Sequence, residues 1–105
     1  MMNNEGQVAR DLANSKLIHA SEVTLKSGKK TNMHTYPAHF YYALTDVNIK
    51  VHYQDGKEEV YKMKAAESGV SEPERPHTNQ NIGNKTAEFL IVELKEHPYK
   101  APKAK

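Results

Sequence analysis

The sequence predicts an all-β fold, a barrel or sandwich built from short antiparallel strands. Short runs of apolar and polar residues alternate, turn residues separate these runs, and almost no stretch has the spacing of an amphipathic helix. Two histidine-containing segments, residues 28–37 and 76–83, lie on either side of the strand-like middle of the chain. Together these observations indicate a small barrel with a pocket.

Length and charge limit the possibilities further. The 105 residues suffice for one domain, and we expect a single domain over residues 1–105, with an N-terminal arm over 1–15, a barrel over about 16–95 and a C-terminal tail over 96–105. The net charge is only +2 and lysines are interspersed with glutamates, so no nucleic acid partner is expected. With 37% hydrophobic residues the core must be compact, and a homodimer would cover surface that a lone barrel exposes.

Two features that the sequence lacks exclude further classes. Without cysteine there is no disulfide framework, thiolate nucleophile or thiolate metal site, so any metal must be held by nitrogen and oxygen. The first ten residues lack the basic region and apolar run of a signal peptide, and no later run has the length that spans a bilayer. We therefore expect a cytoplasmic protein with no membrane partner.

The first third of the chain contains three predicted segments. Residues 8–13 are compatible with a short helix or an arm, and residues 16–26 with two short strands or one bent strand that ends at Gly28. Residues 31–36 have a strand-like pattern that ends before Pro37, which has no N–H for a central ladder. The first histidine-containing segment therefore includes a predicted strand.

The middle of the chain has the clearest strand and hairpin signals. After a strand-like segment at residues 39–45, residues 47–53 alternate between two faces, as expected of a half-buried strand. The residues on its apolar face are Val47, Ile49, Val51 and Tyr53. Asp55 and Gly56 predict a hairpin, because a tight primed turn needs a positive φ that glycine adopts without steric cost. We expect the returning strand over residues 58–64.

The last third contains turns, prolines and one strongly apolar run. Residues 65–69 form a predicted turn, and residues 70–74 a short strand broken by two prolines. A second turn over residues 81–84 precedes residues 87–94, the most apolar run of the chain and a predicted central strand. The remaining residues form the predicted exposed tail.

The strand order and spacing over residues 16–95 resemble those of a small single-domain cupin. This family has a jelly-roll barrel, also called a double-stranded β-helix, and the resemblance implies that fold here. Gly28, the five residues after it and His34 match the start of the family's first motif. Tyr36 stands where the family has its second histidine.

The rest of the two family motifs matches in part. The family's glutamate falls on Phe40 or on His39, depending on the direction of counting, and the match of residues 42–44 to the family's Tyr-Val-Leu sequence favours His39. In the second motif, His77 and Asn81 have the family's spacing. The residues that replace other motif positions are Ala66, Glu72 and Glu74.

The resemblance implies a candidate metal site. In the family, three histidines and one glutamate bind a divalent metal, and imidazole ligands suit Zn, Mn, Fe or Ni. The implied ligands here are His34 and His77, joined by His39 if its side chain turns inward. The resemblance also implies a small-molecule enzyme such as an isomerase or dioxygenase. The candidate ligand-binding residues are Tyr36, Tyr42 and Asn81.

Each candidate also has a structural interpretation. Two inward histidines can line a polar pocket without metal and bond to tyrosine hydroxyls, which predicts a metal-free ligand-binding or sensor barrel, or a structural dimer without catalysis. A surface position is the simpler expectation for His39, and a turn is the commonest role for Asn81. The histidines expected to be structural or solvated are His19, His52 and His97. The sequence thus predicts a barrel pocket for a small polar molecule and leaves the metal open.

Overall fold

A computed structural model describes residues 3–4 and 7–102. Ten strands form two antiparallel sheets, and the described residues contain no α-helix, so the all-β prediction is confirmed. The strands are β1 (Asn3–Asn4), β2 (Gln7–Asn14), β3 (Ile18–Leu25), β4 (His34–Tyr36), β5 (His39–Ala43), β6 (Val47–Tyr53), β7 (Glu58–Met63), β8 (Ser68–Ser71), β9 (Glu74–Asn81) and β10 (Ala87–Leu94). Nowhere in this described part does a helix occur with the length and apolarity that a membrane crossing requires.

The strands are arranged as a six-stranded sheet and a four-stranded sheet. The first has the order β1-β2-β3-β10-β5-β8 and the second the order β4-β9-β6-β7. The prediction that residues 87–94 form a central strand is confirmed, since β10 pairs with β3 on one side and with β5 on the other. The buried core consists of Leu25, Ala43, Val47, Ile49, Val51, Tyr53 and Ala87. These residues come from strands of both sheets.

The hairpin of β6 and β7 follows directly from the sequence. Alternate residues of β6 are buried, from Val47 to Tyr53, as the alternation predicts. Gly56 adopts a φ of 94°, and β7 then pairs with β6 over its whole length. The hairpin places β7 at one edge of the four-stranded sheet.

For two segments near the N-terminus, the structure decides between alternatives that the sequence left open. Residues 8–13 are not helical, because they belong to β2 and pair with β3, with a register shift between Asp11 and Ala13. Residues 16–26 contain one strand, β3, rather than two. The tertiary ladder decides both outcomes, because strand propensity depends strongly on the neighbours available for pairing.

Strand β9 was not predicted, because Pro73 just before it and Pro76 within it argue against a regular strand. The chain nevertheless stays extended through Pro76. The pairing with β4 shifts register at this point, since His34 pairs with His77 but Tyr36 pairs with Glu74. A bulge of this kind tolerates a residue without an N–H. The bulge also determines which side of β9 Glu74 faces.

The outer faces of the two sheets have different chemistry. On the six-stranded sheet, Ala20, Val92, Phe40 and Val70 are successive cross-strand partners and form an apolar row. The outer face of the four-stranded sheet is polar, with ion pairs and hydrogen bonds between its side chains. The predicted homodimer stays a prediction.

Candidate functional site

The four-stranded sheet brings the two histidine-containing segments together. His34 of β4 and His77 of β9 are cross-strand partners, and the centroids of their rings are 4.7 Å apart. The ring of Tyr36 lies 4.8 Å from that of His34 and 5.5 Å from that of His77. His77 is completely buried. Residues that are distant in sequence therefore form one cluster inside the barrel.

His39 joins this cluster from the opposite sheet. Its ring centroid lies 4.9 Å from that of Tyr36, and only 4% of the residue is exposed. Phe40, the other residue considered for this position, is 38% exposed on the outer face. The expectation of a surface position for His39 is wrong, because β5 begins at this residue and turns it to the side of the buried Ala43.

The three clustered histidines are held in the same way. In each ring, Nδ1 lies within hydrogen-bond distance of the backbone carbonyl two residues earlier: 2.6 Å for His34, 2.8 Å for His39 and 2.7 Å for His77. A carbonyl only accepts, so Nδ1 carries the hydrogen and donates it. In the neutral ring Nε2 then keeps its lone pair.

Burial favours the neutral form of two of these rings. It lowers the pKa of His34, and the positive charge of His77 acts in the same direction. It also lowers the pKa of His77, with His39 and Arg75 as further causes, although the hydrogen bond to the Arg75 carbonyl opposes the shift. Both imidazoles therefore present a lone pair at Nε2 near neutral pH.

Those lone pairs are not used within the described part of the chain. Nε2 of His34 and Nε2 of His77 are both buried and have no hydrogen-bond partner there. Buried polar atoms are nearly always paired in native proteins, so such an atom requires an explanation. A hydrogen-bond donor or a cation between the rings would supply one. Nε2 of His39, in contrast, lies 3.8 Å from Oε1 of Glu74.

Glu74 belongs to the site although it was not among the candidate site residues predicted from the sequence. Strict alternation from His77 would turn Glu74 to the opposite face, and the bulge in β9 returns it to the same face. Its side chain is 19% exposed, and burial raises the pKa of its carboxyl, although the nearby His39 lowers it. Pro76, placed between the two residues, was the available signal of irregular pairing.

Tyr36 remains a neutral phenol in this environment. Burial raises the pKa of Tyr36 well above its usual range, and the carboxylates of Glu93 and Glu74 raise it further. The hydroxyl can donate or accept a hydrogen bond, but the phenolate is strongly disfavoured. Tyr36 therefore matches a polar contact better than an anionic metal ligand.

Two of the predicted ligand-binding residues lie elsewhere. Tyr42 lies opposite Leu90 and Ser68 in the six-stranded sheet, on the other face of β5 from His39, and the neighbouring Tyr41 lines the cavity instead. Asn81 is 1% exposed, and its side-chain amide bonds only to the backbone of its own surroundings. Its position in the family motif marks a structural amide in this chain.

A cavity of about 520 Å³ lies between the sheets. One part of its wall is polar and contains Tyr36, His39, Tyr41 and Glu74. The other part is apolar and contains Val47, Ile49, Val51, Met63, Phe89 and Ile91. Residues of β7 and β8, which are edge strands of different sheets, form part of the cavity wall.

The remaining histidines are engaged in other ways. His52 lies 3.0 Å from Glu58 through Nδ1 and 3.0 Å from Gln80 through Nε2. Nε2 of His19 lies 2.8 Å from Asp11. His97 is exposed. None of the three lines the cavity, as the sequence indicated.

The described residues do not form a complete metal centre. Among residues 3–4 and 7–102, no group of three or more His, Asp or Glu side chains is arranged to hold a metal ion. The donor chemistry nevertheless suits one, because His34 and His77, whose ring centroids are 4.7 Å apart, each have an orphaned Nε2 and an Nδ1 that a carbonyl orients. The metal site implied by the family resemblance stays a prediction.

Comparison with known proteins links this architecture to solved structures. No protein-family model and no curated protein matches the sequence. A cupin domain from Bordetella pertussis Tohama I has a TM-score of 0.78 at 14% identity, covering 90% of this chain and 99% of its own. An RmlC-like cupin family protein with a double-stranded β-helix fold from Methanocaldococcus jannaschii has a TM-score of 0.67 at 17% identity, covering 84% and 79%. The polyketide cyclase RemF from Streptomyces resistomycificus has a TM-score of 0.67 at 20% identity, covering 90% and 69%.

Proposed function

Because this chain has the cupin fold, we propose that it binds a small molecule in the cavity between its sheets. The fold alone does not select a function, so the proposal rests on the site. The observation that carries it is a cavity with one polar and one apolar wall, whose lining residue Tyr36 contacts the rings of His34 and His77, two histidines outside the lining that have unused lone pairs at Nε2. Ligand sites usually combine a mainly apolar wall with a few placed polar groups.

The apolar wall indicates a ligand with an apolar body. The inward residues of β6, such as Ile49 and Val51, face Ile91 of β10 across the cavity. This surface would gain little from a fully polar molecule, because burying unpaired polar groups costs free energy. We therefore narrow the expected ligand from a small polar molecule to one with an apolar part and a polar head.

The polar wall would hold the head group. Nε2 of His39 offers an acceptor in the neutral ring, and Glu74 offers either an acceptor or, when protonated, a donor. The raised pKa of Glu74, caused first by burial, makes its protonated form more accessible than that of an exposed carboxyl. The pair is therefore suited to a hydroxyl, carboxyl or amide head.

A divalent metal is a second candidate, favoured by the orphaned Nε2 atoms. His34 and His77 would provide two ligands, His39 a third and Glu74 a carboxylate, a donor set suited to Zn, Mn, Fe or Ni. Such an ion supplies Lewis acidity that polarises a substrate oxygen. The protein's own contribution is orientation, because the carbonyl bonds fix each Nδ1–H and direct Nε2 inward.

A cavity-filling pair of variants tests the first candidate. We expect anilinonaphthalene sulfonate to bind the wild-type cavity, measured by its fluorescence. Met63→Trp should weaken this binding about tenfold or more, because indole occupies the apolar wall. Val60→Trp on the same strand is the control, since Val60 is 51% exposed and outside the cavity. Equal binding by the two variants would contradict cavity binding.

Metal titration tests the second candidate. Protein purified without chelator or nickel resin should contain near-stoichiometric metal by elemental analysis, or its melting temperature should rise by several degrees when Zn, Mn, Fe or Ni is added. The double variant His34→Gln/His77→Gln should lose both signals. His52→Gln/His97→Gln should keep them, because these residues lie outside the cluster. No metal and no shift would remove this candidate while leaving the first intact.

A further inference from the structure

We infer that Tyr41 and Gly69 together set the width of the cavity mouth and thereby select ligands by size. The inference rests on the proposed binding of a small molecule in the cavity. Tyr41 belongs to β5 and lines the cavity, and Gly69 is its cross-strand partner on the edge strand β8. We place the mouth between β8 and the edge strand β7 of the other sheet, because residues of both strands line the cavity.

Gly69 is required for space and not for backbone conformation. Gly28 and Gly56 adopt a positive φ, whereas Gly69 does not. A Cβ built on Gly69 would instead lie 2.7 Å from Cζ and 3.1 Å from Cε1 of Tyr41, and closer still to the hydroxyl oxygen. The phenol ring therefore lies directly against the backbone of β8, in the space that any other residue would fill.

The two sides of the mouth are not equally fixed. On the β7 side, the hydroxyl of Tyr61 donates to Glu59, which anchors that ring. On the β8 side, the hydroxyl of Tyr41 has no hydrogen-bond partner among residues 3–4 and 7–102. Tyr41 is thus the adjustable side of the mouth, and its hydroxyl remains available to a ligand.

A larger residue at position 69 would narrow the mouth. The clash falls on the outer atoms of a side chain, so the ring can move away while the backbone stays in place. Movement toward β8 is blocked by the new Cβ, and the displaced ring would enter the cavity that it now lines. Glycine at this position therefore keeps the mouth wide enough for a broad ligand.

Two probes of different width test this inference. Phenol and 2-naphthol carry the same hydroxyl head, and their affinities can be measured by calorimetric titration. Gly69→Ala should weaken 2-naphthol about tenfold or more and leave phenol nearly unchanged, because overpacking acts on the wider ring. Adding Tyr41→Val to Gly69→Ala should restore 2-naphthol binding. Ser68→Ala, an exposed neighbour on β8, is the control for disturbed strand pairing.

The outcomes separate this inference from the proposed function. If wild-type protein binds neither probe, the proposed function and the inference both fail. If it binds both and Gly69→Ala weakens them equally, or if Tyr41→Val gives no rescue, only the inference is overturned. Nuclear Overhauser contacts between the Tyr41 ring and the Gly69 α-protons should be present in wild-type protein. Their absence would overturn the inference whatever the probes do.

Discussion

Strand β9 buries two polar residues, His77 in its middle and Asn81 at its end, in opposite ways. Asn81 is 1% exposed and its amide is fully engaged: it donates to the carbonyls of Leu25 and Lys85, at 2.9 and 2.8 Å, and accepts from the N–H of Gly83. His77 is completely buried, yet only its Nδ1 has a partner. Asn81 is closed by its own hydrogen bonds, and His77 keeps an open acceptor.

This difference separates a structural polar residue from one available for binding. A fully satisfied buried amide stabilises the fold and offers nothing to a ligand. An unsatisfied buried imidazole destabilises the free protein and is relieved only when a donor or cation arrives. Both residues match the same family motif, so the motif alone does not distinguish them.

The largest expected effect on stability is at Asn81. Asn81→Ala should lower the free energy of unfolding by about 2–4 kcal/mol, because it leaves buried backbone groups without partners. Urea denaturation measures this loss. Asn79→Ala, on the same strand, is the matched control and should cost less than about 1 kcal/mol, since no described side-chain bond is lost. Equal losses would break the comparison.

At His77, the effect on stability should be smaller and the effect on binding larger. His77→Leu should change the free energy of unfolding by less than about 1.5 kcal/mol, because volume is roughly conserved and only the bond from Nδ1 to the Arg75 carbonyl is lost. Metal or probe binding near the cluster should disappear. A loss of stability as large as that of Asn81→Ala would show that Nε2 is bonded in the folded protein.

The pH dependence of stability should come from the histidines with open acceptors, His34 and His77. The folded-state pKa values of His34 and His77 lie below 6.5 because of burial, so the unfolded chain takes up more protons as pH falls. The free energy of unfolding should therefore decrease as pH falls through 6.5 toward the lowered values. The raised pKa of Glu74 acts in the opposite direction, since the folded state protonates first.

Urea denaturation at about pH 7.5 and about pH 5.5 measures this dependence. The double variant His34→Gln/His77→Gln should lose most of the decrease. Asn81→Ala should retain it, because Asn81 does not titrate. A decrease of unchanged size in the double variant would assign the pH dependence to other groups.

The smallest effect is expected on the outer face of the four-stranded sheet. Glu58 pairs with Lys50 at 3.1 Å and with His52 at 3.0 Å, and these bonds hold the pKa of its carboxyl below the usual range. The side chain is 48% exposed, so Glu58→Gln should lower the free energy of unfolding only slightly, and less than the variants above. The cost should shrink in high salt, measured by denaturation at two ionic strengths. A large, salt-independent cost would contradict a solvated pair.

Local patterns predicted the regular parts of the fold. The alternation of β6, the turn at Gly56 and the apolar run of β10 each depend on neighbours within one segment. The match of His34 and His77 to family motifs identified the two rings that the four-stranded sheet brings together. These features are encoded over a few residues, so the sequence displays them directly.

Other site features depend on pairing between distant segments. Glu74 enters the site only because β9 bulges against β4, and strict alternation places it on the wrong face. His39 lies on the buried face of β5, so Tyr41, which shares that face, lines the cavity and Tyr42 does not. A shift of one residue in register exchanges the two faces of a strand, so these assignments required the ladder.

The sequence by itself determined an all-β chain with the strands, hairpin and paired histidine segments of a small barrel. Only the tertiary structure decided which nitrogen of each ring is used, which carboxylate faces His39, and that Asn81 is engaged while His77 is open. The physical reason is the distance along the chain over which each effect acts. Alternation and turn preference act between near neighbours, whereas burial and hydrogen-bond satisfaction depend on what the opposite sheet places beside each group.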